Sequence, residues 1–255
     1  MFNFFKVLFS PVIAILDFIT KYFKTIVFLT IVYFITIDSS EDLAQNNSLA
    51  NLQKIELTGP ILDVTKTLED IENAKKDKNI KGILFVVNSP GGAVAPSIEL
   101  AYAIKELKQI KPVVVYASGV IASGSYYASI WANKIVANPG SMVGSIGVIM
   151  QGVNTEELMQ KIGVSTQTVK AGKYKESGTP TRKWFDYEEK QLQSVIDDTY
   201  NMFISDVASA RNLDVKNHNL FADAKIFTSK QAKEVGLVDE VATLSYAQNS
   251  LINLS

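Results

Sequence analysis

The chain has 255 residues, 47% hydrophobic and 20% charged, with 25 basic against 26 acidic side chains and a net charge of −1. This composition supports a sizeable core and excludes wholesale disorder. No cluster of basic residues interleaves with aromatics, which argues against nucleic acid as a partner. With no cysteine and a single histidine, His218, disulfides and thiolate metal sites are excluded. Nucleophilic chemistry, if present, falls naturally to a serine with a lysine as its base, and no metal or cofactor is expected.

Residues 1–37 are almost wholly apolar or aromatic, interrupted by the charged Lys6, Asp17, Lys21 and Lys24. The uninterrupted run Thr25–Ile37 is short for a spanning helix of about 20 residues. Extended back to Thr20, with Lys21 and Lys24 snorkelling, it suffices for one span over about 20–37. Pro11 and Asp17 make residues 2–19 an interfacial amphipathic helix. A cleaved signal peptide or a purely interfacial or buried helix are the alternatives. Lys6, Lys21 and Lys24 precede the run, whereas Asp38, Glu41 and Asp42 follow it. The positive-inside rule then puts the N-terminus in the cytoplasm and the remainder on the outer face of the membrane. Residues 38–53 read as a polar linker, 54–243 as the main domain and 244–255 as a C-terminal tail.

From residue 54 strands and helices alternate. Lys54–Leu57 reads as a strand and 63–77 as a helix, with Val64, Leu68 and Ile71 at helical spacing. Gly82–Val87 is a short apolar run, as in a parallel strand buried on both faces. A helix follows with Leu100, Ala103, Ile104 and Leu107 on one face and Pro96 near its first turn. Val113–Tyr116 and Lys134–Ala137 are strands flanking a helix that opens at Ser123. Thr155–Ile162 reads as a helix and Thr166–Val169 as a strand. Residues 186–212 form a long helix with Leu192, Val195, Ile196, Thr199, Phe203, Val207 and Ala210 on one stripe. Repeated strand–helix–strand units with short loops imply a parallel α/β core.

Three glycine-rich turns punctuate this core: Asn88-Ser-Pro-Gly-Gly92, Ala122-Ser-Gly-Ser125 and Gly144-Ser-Ile-Gly147. The first follows the carboxyl end of a buried strand and precedes a helix, where ligands of open α/β sheets bind. Its adjacent glycines let backbone amides face a ligand, so Gly92 is a candidate oxyanion donor, with the Gly124 amide a second. Ser123 is the candidate nucleophile. Lys175, between Gly172 and Gly178, is the candidate base, because burial favours the neutral amine that a base requires. Glu176 beside it would oppose that, so its carboxylate is expected to point away. Taken singly, each feature also has a plain structural reading. Ser123 serves as a helix cap, Lys175 and His218 as surface-loop residues, and the glycine turns as turns.

Taken together and in order, these segments resemble the signal peptide peptidase A family, serine proteases related in fold to Clp protease and crotonase. The resemblance rests on Asn88-Ser-Pro-Gly-Gly92, Ala122-Ser-Gly-Ser-Tyr-Tyr127, Val143-Gly-Ser-Ile-Gly-Val-Ile149, Lys173-Tyr-Lys-Glu-Ser-Gly-Thr-Pro180 and Gly236-Leu-Val-Asp239, and runs from about residue 54 to 243. It implies a Clp protease/crotonase-like α/β fold of repeated β-β-α units with a parallel sheet, behind an N-terminal transmembrane helix. Ser123 would be the nucleophile, Lys175 the general base, Gly92 an oxyanion-hole donor, and Ser145 the group that orients the lysine. It further implies hydrophobic peptide substrates, notably signal-peptide remnants, and a homo-oligomeric ring of four to eight subunits whose sites combine neighbouring chains. Residues 1–37 would contact membrane lipid at the bacterial inner membrane, with the catalytic domain on the periplasmic or outer face. One departure is Ser125, where the family usually has a second glycine after the nucleophile. A side chain there would crowd the acyl group, alter the turn or offer a decoy hydroxyl. An acyl-CoA enzyme on the same fold and a non-catalytic scaffold are the rival readings.

Overall fold

The computed structural model describes residues 18, 20–25, 27–30 and 51–255. The chain divides into two units, Met1–Ala50 and Asn51–Ser255. In the first, the described residues 18, 20–25 and 27–30 are helical. The remainder of the expected anchor (1–37) and most of the linker (38–53) lie outside the described residues. Among those described, no helix is long and apolar enough to cross a membrane.

The second unit is built on a seven-stranded sheet. Strands β1 (Leu52–Thr58), β2 (Gly82–Ser89), β3 (Val113–Ala122), β4 (Lys134–Ala137) and β7 (Glu240–Val241) run parallel in the order β1-β2-β3-β4-β7. Helices α1 (Thr65–Lys76) and α2 (Val94–Leu107) make the first two crossovers. The apolar residues of β2 and β3 alternate between two helical layers, as the two-residue period of a strand requires. Ile83, Phe85, Val87, Val113, Val115 and Ala117 belong to the main core, with Leu100, Ile104 and Leu107 of α2. Leu84, Val114 and Tyr116 face the other way, onto Ala247 and Leu251 of α7 (Leu244–Ile252). Residues 244–252, expected as part of a tail, therefore form a helix that covers one face of the sheet. The spacing of Leu244, Ala247 and Leu251 at i, i+3 and i+7 carries that helix.

Strand β3 serves two neighbours in succession. Val114–Ala117 pairs β4, and Val120–Ala122 pairs the short strand β5 (Met142–Gly144), which in turn pairs β6 (Ile226–Thr228) antiparallel. Between these halves the register with β2 shifts after Val87. The Asn88 side chain fills the gap by accepting from the Val120 N–H (3.0 Å). A side chain at Gly119 would collide with it. The carboxyl ends of β2, β3 and β5 lie side by side, and the three glycine-rich turns meet there.

Two expectations are corrected. Thr166–Val169 is not a strand: residues 165–170 are exposed and carry no regular secondary structure, and Val169 has no cover. Its β-branched residues favour an extended backbone, but no strand of this chain lies beside it to complete a ladder. The long helix α5 (Asp186–Arg211) forms as expected, ending at Asn212 in the left-handed conformation. Its apolar stripe is buried only in the C-terminal half, at Phe203, Ile204, Val207 and Ala208. Leu192, Val195 and Ile196 remain uncovered or half-covered, so the N-terminal half projects.

Candidate active site

Ser123 stands where β3 turns into α3 (Gly124–Ser129). Its backbone has φ 53° and ψ −126°, a region side chains seldom occupy and which costs about 1–3 kcal/mol. A serine on a strained strand-to-helix turn presents its hydroxyl outward in the manner of a nucleophile elbow. The turn is held by backbone on both sides: Ser123 N–H donates to Gly144 O (2.8 Å), and Tyr127 N–H donates to Ser123 O (2.9 Å). The Ser123 hydroxyl makes no capping bond to its own helix. The reading of Ser123 as an N-cap thus meets its position but not its side-chain role.

The turn Asn88–Gly92 packs directly against this elbow. Gly91 has φ 91°, and a Cβ there would lie 2.6 Å from the Gly124 nitrogen and 2.8 Å from the Ser123 Cβ. Ile61 lies on the other side of Gly92. Ile61 N–H donates to Gly91 O (2.9 Å), Ala93 N–H donates to Ile61 O (2.8 Å), and no side chain fits at Gly92. That sandwich leaves the Gly92 N–H outside the backbone ladder. The Gly124 N–H lies in the first turn of α3, ahead of the first i→i−4 bond. Gly92, Ser123 and Gly124 all line one cleft of about 100 Å³. Its other walls are mostly apolar, including Val94, Ile98, Val148, Ile149, Met202 and Phe203, and no ionisable carboxylate or amine lines it.

Ser125 is neither a decoy nor an obstruction. It is fully buried; its hydroxyl accepts from Ala122 N–H (2.9 Å) and donates to Ser89 O (2.7 Å). It ties the elbow to the Asn88–Gly92 turn from beneath, where a glycine could not. On the far side, a Cβ on Gly124 would run into the Ser97 hydroxyl, so the residue after Ser123 has to be glycine.

Ser145 also has positive φ (52°) and donates its N–H to Lys225 O (2.7 Å). The loop Asp223-Ala224, with φ 64° and 53°, backs this turn: Ala224 N–H donates to Ile146 O (2.9 Å), and a Cβ on Gly147 would press on Ala224. The support from 223–225 carries no motif or periodicity, which is why sequence reasoning missed it. Ser145 is half-buried but does not line the cleft beside Ser123.

Lys175 is exposed, and it does not line the cleft in the single chain. Its loop is nevertheless firmly built. Glu176 turns to Lys170 (2.8 Å) and Arg182 (3.2 Å), consistent with a carboxylate directed away from Lys175. Arg182 also forks onto Glu188 with two bonds of 2.8 Å, and Glu188 accepts from Phe185 N–H (2.9 Å) at the start of α5. The Arg182 guanidinium, aided by that N–H, holds the fully covered Glu188 carboxyl down at about 2. Its stabilising contribution is therefore present above the usual value of 4.5 and lost as pH falls from 4.5 through 2. Glu188→Gln should lower the melting temperature at neutral pH and flatten its decline between pH 4.5 and 2, read by thermal denaturation across that range. Glu176 is lowered in the same direction by Lys170 and then Arg182. His218 contacts Tyr200 edge-on (6.2 Å between ring centres) and does not reach the cleft.

An outward-facing serine on a strained elbow, between two backbone amides and above an apolar cleft, is the arrangement of a serine hydrolase. The chain belongs to peptidase family S49, whose model matches residues 105–255, and its class is that of the serine peptidases. It is similar to a protein of Methanocaldococcus jannaschii named as a protease, with 46% identity over 74% of this chain and 60% of the relative. It is also similar to a protein of Enterococcus faecium named as a signal peptide peptidase, with 32% identity over 85% of this chain and 66% of the relative. The chain thus spans about two thirds or less of these relatives' length. Among solved structures, a mutant of 1510-N, a membrane-bound stomatin-specific protease, superposes with a TM-score of 0.52 at 16% identity, covering 80% of this chain and 84% of that one. The last likeness concerns the fold alone.

Proposed function

We propose that this chain is a membrane-anchored serine endopeptidase that cuts hydrophobic peptides, such as signal-peptide remnants, using Ser123 as nucleophile and Lys175 as base. The observation that carries the reading is the strained Ser123 elbow, set between the Gly92 and Gly124 amides at an apolar cleft. Ser123 Oγ attacks the scissile carbonyl carbon and its proton passes to the neutral Lys175 amine. The developing oxyanion is met by the Gly92 and Gly124 N–H groups, each worth up to about 100–1,000-fold in rate. The lysine then protonates the leaving amine, and water hydrolyses the acyl-serine by the same route in reverse. A cleft without charged walls suits apolar side chains next to the scissile bond.

Lys175 is exposed and outside the cleft of its own chain, which favours a site completed in a homo-oligomeric ring by a neighbour's lysine. Exposed apolar residues near it, among them Val153, Leu158, Ile162 and Val169, support assembly through this region. Ser145 orients the lysine once it arrives. Tethering through residues 1–37 places the site at the outer face of the membrane, supported by the lysines before the apolar run and the acidic residues after it.

The test is fluorophosphonate labelling of the detergent-solubilised full chain, read by intact mass. One adduct, located on Ser123 and absent from Ser123→Ala, is expected. A folded, assembled protein that takes up no label would overturn the peptidase reading.

A further inference from the structure

The long helix α5 supplies one wall of the cleft, through Thr199, Met202 and Phe203. These residues lie at the junction between its buried C-terminal half and its projecting N-terminal half. Residues 199, 202, 203 and 206 follow the i, i+3, i+4, i+7 pattern of one helix face. Asp206 is thus one turn beyond the wall on the same side. Tyr127 is one turn beyond Ser123, lines the same cleft, and its N–H already fixes the Ser123 carbonyl. Its ring packs edge-on against Phe203 (4.7 Å between centres), and its hydroxyl donates to Asp206 Oδ2 in a short bond. Among the described residues, this is the hydrogen bond recorded between α3 and α5. Burial, and then the Asp206 carboxylate, push the Tyr127 phenol upward from its usual value, so it stays a donor at working pH.

We propose that the Tyr127–Asp206 hydrogen bond is the positioning device that fixes the α5 wall against the Ser123 elbow, and so sets which apolar side chain the cleft admits. The proposal rests on the peptidase reading above and adds its specificity determinant. Met202 is the part of the wall that substrate touches, and Tyr127 and Asp206 act by holding it. With the bond intact, the cleft is narrow and favours branched aliphatic side chains. With it gone, the Tyr127 ring and the Met202–Phe203 wall part locally and bulky aromatic side chains enter.

The experiment uses the full chain in detergent and two blocked peptides differing only in leucine or phenylalanine before the scissile bond. In Tyr127→Phe and in Asp206→Ala, the phenylalanine-to-leucine ratio of kcat/KM should rise about tenfold, mainly through KM. The double variant should show the same shift, not its square, because both changes remove one bond. Asp206→Asn, whose amide oxygen still accepts from the phenol, should retain the wild-type ratio within about threefold. Calorimetric binding of both peptides in a Ser123→Ala background should show the same change of preference without chemistry. An unchanged ratio, equal losses for both peptides, or shifts that multiply in the double variant would overturn the clamp. Altered binding preference in a protein that never labels at Ser123 would instead overturn the peptidase reading and uphold the clamp.

Discussion

Ser123→Ala should reduce peptide cleavage by about 10⁴-fold or more while leaving the melting temperature close to wild type. The expectation follows from what the hydroxyl does in the fold, which is nothing: it makes no capping bond, and alanine keeps the Cβ that the strained backbone already carries. The neighbouring Ser125→Ala should do the reverse. That hydroxyl is fully buried and holds Ala122 N–H and Ser89 O together, so its loss should cost about 1–3 kcal/mol of stability. Some activity would survive below the shifted melting point. Measured side by side by initial rates and calorimetry, the two serines should separate into one that serves chemistry and one that serves the turn. If Ser125→Ala abolished labelling in a folded protein while Ser123→Ala did not, the assignment of the nucleophile would be reversed.

The elbow was legible because each of its turns carries glycine, and the structure supplies the steric reason at each. Gly92 touches Ile61, Gly124 faces Ser97, and Gly147 faces Ala224. The strands β2 and β3 were legible as apolar runs because both of their faces are covered. Strands β5, β6 and β7, of two or three residues, are too short to show a period. The loop at Asp223-Ala224 was illegible for a different reason. Its positive φ values are imposed by contacts with residues 144–147, nearly eighty positions away, and no local propensity encodes them. The stripe on α5 misled in an informative way: Leu192, Val195 and Ile196 are spaced as core residues, yet this chain alone provides no core for them. Thr166–Val169 likewise carries β-branched residues suited to a strand, with no strand of this chain beside it. Such patterns, without cover in their own chain, are what an interface between chains would require.

That consideration bears on Lys175, for which the second large effect is expected. Lys175→Ala should abolish cleavage to about the same extent as Ser123→Ala, since a serine without its base is a poor nucleophile. The two inactive variants should nevertheless restore one another when mixed. The Lys175 loop is held by Glu176, Arg182 and Glu188 in a defined position, exposed and outside the cleft that contains its own Ser123. A lysine so held outside its own cleft is what a site shared between chains requires. In a randomly mixed ring, a site made from one chain's Ser123 and a neighbour's Lys175 is intact at about one position in four, so about a quarter of wild-type activity should return after dissociation and reassembly. Mixing intact rings without exchange should recover nothing, which separates complementation from contamination. If reassembled mixtures stayed inactive while each variant folded and assembled normally, both residues would have to act within one chain. The loop from 170 to 182 would then have to swing inward to reach Ser123.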